Sequence, residues 1–171
     1  IVRHAAELPL PGGGRAELAI DHGEVIGVGR RAPVRELELE RIEGNPEALI
    51  RATLAIRRGF ALRPGGLSKA ARGLLLVGLL PPPRPPGVGA IEQLEALVDL
   101  EERLRAGATA FEPQRLALVG SMVLAGAPES LAQAASGPRE ELLDRIESAE
   151  HAELLWSLWT RALLNGGPGA G

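Results

Sequence analysis

Glu36, Glu38 and Glu40 alternate with Leu37 and Leu39, and this spacing is the strongest chemical signal in the chain. On an extended strand successive side chains point to opposite faces, so the three carboxylates share one face and the two leucines the other. Carboxylates two residues apart sit roughly 7 Å from one another, and each neighbouring pair repels by about 2 kcal/mol at an effective dielectric of about 20. Such a row calls for water or countercharge. If enclosed, it suits hard divalent cations, which take oxygen ligands, and the oxyanions those cations carry. A solvated strand face is the simpler reading of the same residues.

Neighbouring strands must position this row. Arg15 to Asp21 also alternates, with Arg15, Glu17 and Asp21 on one side and Ala16, Leu18 and Ile20 on the other, which reads as a half-buried strand. Asp21-His22-Gly23 predicts a tight turn, with Glu24 to Gly29 as its antiparallel partner, Arg30 to Pro33 as the next connection and Val34 to Ile42 as the acidic strand. Before them, Pro9, Pro11 and Gly12 to Gly14 make a loop, preceded by a short strand-like remnant from Ile1 to Ala6. A start at Ile1 inside that remnant suggests a piece of a longer chain, truncated at its N-terminus. After the acidic strand, Asn45 and Pro46 predict a helix cap and first helical residue, with Leu49, Ala52 and Ile56 buried and Gly59 as the stop. Pro64-Gly65-Gly66 then breaks the chain, and Ser68 caps a short helix that carries Lys69 and Arg72 one turn apart.

Composition narrows the function classes. The 171 residues are 45% hydrophobic, enough for one medium domain or two small ones. Without cysteine, neither disulfides nor thiolate metal sites enter the chemistry. Two Phe, two Trp and no Tyr argue against a base-stacking nucleic-acid surface. The longest apolar run, Leu74 to Leu80, is too short to span a bilayer and the start is unlike a signal peptide, so no membrane role and a cytoplasmic location are expected. Charge is uneven: residues 1–89 hold 13 Lys or Arg against 9 acids, and residues 90–171 hold 6 against 13.

Three ordered stretches carry a resemblance. Ala19-Ile20-Asp21-His22-Gly23-Glu24-Val25, then Glu36-Leu37-Glu38-Leu39-Glu40, then Ser68-Lys69-Ala70-Ala71-Arg72-Gly73 resemble the C-terminal half of the CYTH domain of triphosphate tunnel metalloenzymes, over about residues 15–75. The resemblance is greatest to the bacterial inorganic triphosphatases in which a helical CHAD domain follows. It implies an α+β fold: the C-terminal half of an antiparallel β-barrel, which forms the tunnel, with packing helices, followed by an α-helical bundle segment. It further implies Glu36, Glu38, less certainly Glu40, and Asp21 as ligands of Mg or Mn, and Arg15, Arg30, Lys69 and Arg72 as phosphate contacts or ion-pair partners. The implied activity is metal-assisted attack of water on triphosphate, giving phosphate and diphosphate. Thiamine triphosphate, or ATP in a cyclase reaction, would use similar chemistry. A non-catalytic module that binds polyphosphate or a protein remains the alternative from another class, and Asp21 also fits a plain turn-initiating residue.

The Pro-rich run 81–87 predicts a semi-rigid linker over 81–89, dividing a partial CYTH-like domain, 1–80, from a helical, partial CHAD-like domain, 90–171. Helices are expected around Ile91 to Leu104, Leu116 to Leu124 and after Pro128, and a longer one from Pro138 through Leu142, Ile146 and Leu154 to Trp159. This segment is a candidate surface for a protein partner. Trp156 and Trp159 read as core, and His4, His22 and His151 show no metal-ligand spacing.

Overall fold

A computed structural model of the chain describes residues 1–133 and 138–165. The fold is α+β: one three-stranded antiparallel sheet in the order β1-β2-β3, followed by helices. The strands are β1 (Val2–Pro9), β2 (Gly14–Gly27) and β3 (Arg30–Gly44). The helices are α1 (Pro46–Gly59), α2 (Lys69–Leu76), α3 (Ala90–Arg105), α4 (Glu112–Leu124), α5 (Glu129–Gln133), α6 (Arg139–Glu147) and α7 (Ala149–Asn165). Among the described residues the sheet is open, and no helix is long and apolar enough to cross a membrane. Two compact units divide between Leu62 and Arg63.

In the first unit, two expectations about turns are corrected. Asp21-His22-Gly23 is not a turn: β2 runs straight through it, paired with β1 up to His22 and with β3 up to Gly27. A ladder on both sides outweighs the local turn preference of Asp before Gly. The reversal falls instead at Val28-Gly29, where Gly29 supplies φ +69, and Arg30 to Pro33 belong to β3 rather than to a connection. The short remnant at the start is a full strand of eight residues. Leu10 to Gly13 closes the first hairpin, with the Leu10 and Gly14 backbones bonded at 3.0 Å. The expected helix starts are present: the Asn45 side chain accepts from the Glu47 N–H, with Pro46 in the first turn. α1 packs Ala48, Leu49 and Ala52 against Leu10, Ala16 and Leu39. Register puts Ala16, Leu18 and Leu39 on the sheet face opposite Asp21 and Glu36. Packing thus occupies one face and leaves the charged one to chemistry.

In the second unit, Leu94, Leu97, Val98, Val119, Leu131 and Leu155 form the core where α3, α4, α5 and α7 meet, and Trp159 packs against it as expected. The single long helix expected after Pro138 is two helices. Ser148 adopts an extended conformation between α6 and α7, and its hydroxyl accepts from the His151 N–H at 3.1 Å, which makes it the cap of α7.

The Pro-rich run lies within this unit and is strapped to α3. Arg103 donates to the Pro81 and Pro82 carbonyls, Asp99 accepts the Arg84 N–H at 3.1 Å, and Asp99 and Arg103 pair with each other at 2.8 Å. On the other side of α2, Glu102 accepts from the Leu67 N–H and pairs with Arg72 at 3.5 Å. Gly66 makes this approach possible: a Cβ there would lie 2.7 Å from the Asp99 nitrogen and 2.9 Å from the Val98 carbonyl carbon. Helix backbone cannot give way as a flexible side chain can. Gly66→Ala is therefore expected to cost about 1–3 kcal/mol. Urea unfolding followed by tryptophan fluorescence reads this directly, since both tryptophans lie in α7. An unchanged midpoint would show that the segment before α2 moves aside freely.

Candidate metal centre

The charged face of the sheet is built by register. Arg3 stands opposite Asp21, and Asp21 opposite Glu36; one row along, Ala5 and Ala19 align with Glu38; the next row is Glu7, Glu17 and Glu40. Like charges directly opposite one another destabilise a sheet, so the pair Asp21 and Glu36 requires a countercharge. Arg3 provides one. Its Nε donates to Asp21 Oδ1 at 2.8 Å and its Nη2 to Asp21 Oδ2 at 2.7 Å, and Nη2 also reaches Glu38 Oε2. These carboxylates raise the Arg3 pKa still further above its ordinary value, the hydrogen bond to Asp21 first and that to Glu38 second.

Asp21, Glu36 and Glu38 each offer an oxygen within 4.8 Å of the others'. Asp21 is 1% exposed, whereas Glu36 and Glu38 are half-buried. The small alanines at 5 and 19 leave room above the middle row, so the longer glutamates of β3 can lean toward Asp21. The donor set is all carboxylate oxygen, which matches hard cations such as Mg or Mn and not thiophilic metals. The chain matches no protein-family model.

The remaining sequence candidates are placed elsewhere. Glu40 is exposed beside Glu17 and lies outside the cluster of three. Arg15 bonds Glu7 at 2.6 Å and Glu43 at 2.8 Å, six residues along β2 from Asp21, or about 20 Å on a strand. Arg30 sits at the β2–β3 turn, six positions from Glu36, a similar distance of about 20 Å in the other direction. Lys69 and Arg72 are on α2 in the second unit, where Arg72 pairs with Glu102.

Two groups escaped the sequence reading. Arg3 alternates with Val2 and His4, which signals a strand, but the partner 18 residues away is visible only once β1 and β2 are in register. His151 is the other. Together with Glu101 and Arg115 it forms a buried ionic group in the second unit: Arg115 Nη2 lies 2.7 Å from Glu101 Oε1, and His151 Nε2 lies 2.9 Å from Glu101 Oε2. The carboxylate only accepts, so Nε2 carries the proton it shares. Burial pushes the Glu101 pKa up, but the His151 hydrogen bond and the charges of His151 and Arg115 outweigh it and hold the carboxyl below its ordinary value.

Proposed function

We propose that this chain supplies the cation-binding wall of a tunnel enzyme that hydrolyses inorganic triphosphate to phosphate and diphosphate with Mg or Mn. The observation that carries this reading is the convergence of Asp21, Glu36 and Glu38 on one sheet face, at the positions the resemblance to CYTH triphosphatases assigns to metal ligands. The open sheet β1-β2-β3 is, in this reading, part of a larger antiparallel barrel. When bound, the metal would neutralise phosphate oxygens and lower the barrier to attack by water. The residues themselves divide the work. Asp21 is the buried, fixed ligand, Glu36 and Glu38 are the adjustable ones, and Arg3 balances them from the edge strand. With three carboxylates and one guanidinium the group carries a formal charge of −2, so bare triphosphate is repelled and the phosphate is held only together with its cation.

Phosphate release from inorganic triphosphate tests the proposal. Release is expected with Mg or Mn, to vanish on chelation with EDTA, and to return when excess metal is added. Retention of triphosphate on the protein without release would favour a non-catalytic polyphosphate-binding module. Release of phosphate from thiamine triphosphate alone, or conversion of ATP to a cyclic product, would keep the chemistry and change the substrate. Neither binding nor release would overturn the reading.

A further inference from the structure

We infer that Arg3 is an exchangeable countercharge: it occupies the carboxylate cluster in place of a divalent cation, and cation binding frees its guanidinium for a phosphate oxygen. This rests on the metal site proposed above and adds a regulation of it. The asymmetry of the pair points this way. Asp21 is 1% exposed and fixed within the central strand, while the Arg3 side chain is 45% exposed on an outer strand and reaches inward on a flexible stem. The arginine is the half that can leave. Its Nε and Nη2 already span two of the three candidate ligands, so a cation entering the cluster meets a positive group bonded to Asp21 and Glu38. A guanidinium fork matches carboxylate and phosphate geometry alike, and the donors released from Asp21 fit two phosphate oxygens without any change of backbone. Divalent cation binding also takes the formal charge of the group from −2 to 0, removing the repulsion that keeps an anion away. Cation and phosphate would therefore bind with positive coupling, and Arg3 would be the link between them.

The test measures Mn2+ alone, without phosphate, by the electron paramagnetic resonance signal of the free ion. Arg3→Gln removes the competing charge and is expected to tighten Mn2+ binding about tenfold, within the usual range of coupling between sites. Arg3→Lys keeps the charge but loses the fork, and a smaller tightening is expected, together with a raised KM for triphosphate at little-changed kcat. Structural damage would weaken Mn2+ binding, so tightening separates exchange from a merely structural role. If Arg3→Gln fails to fold, Arg3→Lys decides the matter. Mn2+ affinity unchanged or weakened in folded Arg3→Lys would overturn the inference while leaving the triphosphatase reading intact. Tightened Mn2+ binding in a protein that does not hydrolyse triphosphate would do the reverse, and Mn2+ bound by neither the unaltered protein nor the variants would overturn both.

Discussion

Replacing Glu36 and Glu38 together by glutamine is expected to abolish metal-stimulated phosphate release while leaving the sheet intact. Glutamine keeps the shape and the hydrogen-bonding length of glutamate but removes the charge a hard cation requires. Metal stabilisation of a phosphoryl transition state is worth several kcal/mol, which at 1.36 kcal/mol per tenfold corresponds to a loss of about a thousandfold or more. Stability should not suffer. Asp21 keeps its bidentate arginine, and two like charges opposite and diagonal to it disappear. Phosphate release with and without Mn, alongside the far-ultraviolet circular dichroism of the strands, gives both answers in one preparation. Undiminished release by a folded double variant would remove these residues from the site.

The largest effect on stability is expected in the helical unit. Arg115→Met leaves Glu101, which has no exposure, facing His151 alone, and breaking a buried pair in this way costs about 3–5 kcal/mol. Tryptophan fluorescence during urea unfolding isolates this unit from the sheet. Replacing all three groups by apolar residues of similar volume, Glu101→Leu with Arg115→Met and His151→Leu, should recover most of the loss, since the desolvation of three polar groups disappears with them. A loss below about 1 kcal/mol in Arg115→Met would mean that the buried charges are not what ties α3, α4 and α7 together. The same group sets an acid limit. The Glu101 pKa is depressed in the folded protein, so its contribution is fully present above the unfolded carboxyl value of about 4.3 and is lost as the pH falls through the folded value. Glu101→Gln should flatten that limb of the stability profile.

What the sequence made legible was local. The alternation at Glu36 to Glu40 needs only its own five residues to define a strand and a charged face. Asn45-Pro46 and Ser68 act on backbone within three residues of themselves, and their helices begin where expected. What stayed hidden depends on distance along the chain. Asp21-His22-Gly23 has the composition of a turn, but its conformation is decided by strands on both sides of it. Of the site residues, Asp21, Glu36 and Glu38 were found because the resemblance carried them, whereas Arg3 required the register of β1. The ionic group of Glu101, Arg115 and His151 joins positions 14 and 50 residues apart, and no spacing rule announces it. Ser148 is a different case: a serine just before Ala149 and Glu150 is a legible helix cap, overlooked because the apolar stripe appears continuous across it.

The proline strap has a practical bearing on how the chain is divided for experiments. Composition suggests a cut after the prolines, at the start of α3. Asp99 and Arg103 are 4% and 2% exposed, and the acceptors and donor that satisfy them come from Pro81, Pro82 and Arg84. A piece beginning at Ala90 would bare a stripe of α3 and leave its arginine without two carbonyl acceptors. A piece beginning at Arg63 keeps both attachments of α2 and the full surface of α3, so the excisable module is about a quarter longer than its helical bundle alone suggests, by the usual criterion that few contacts cross a domain boundary.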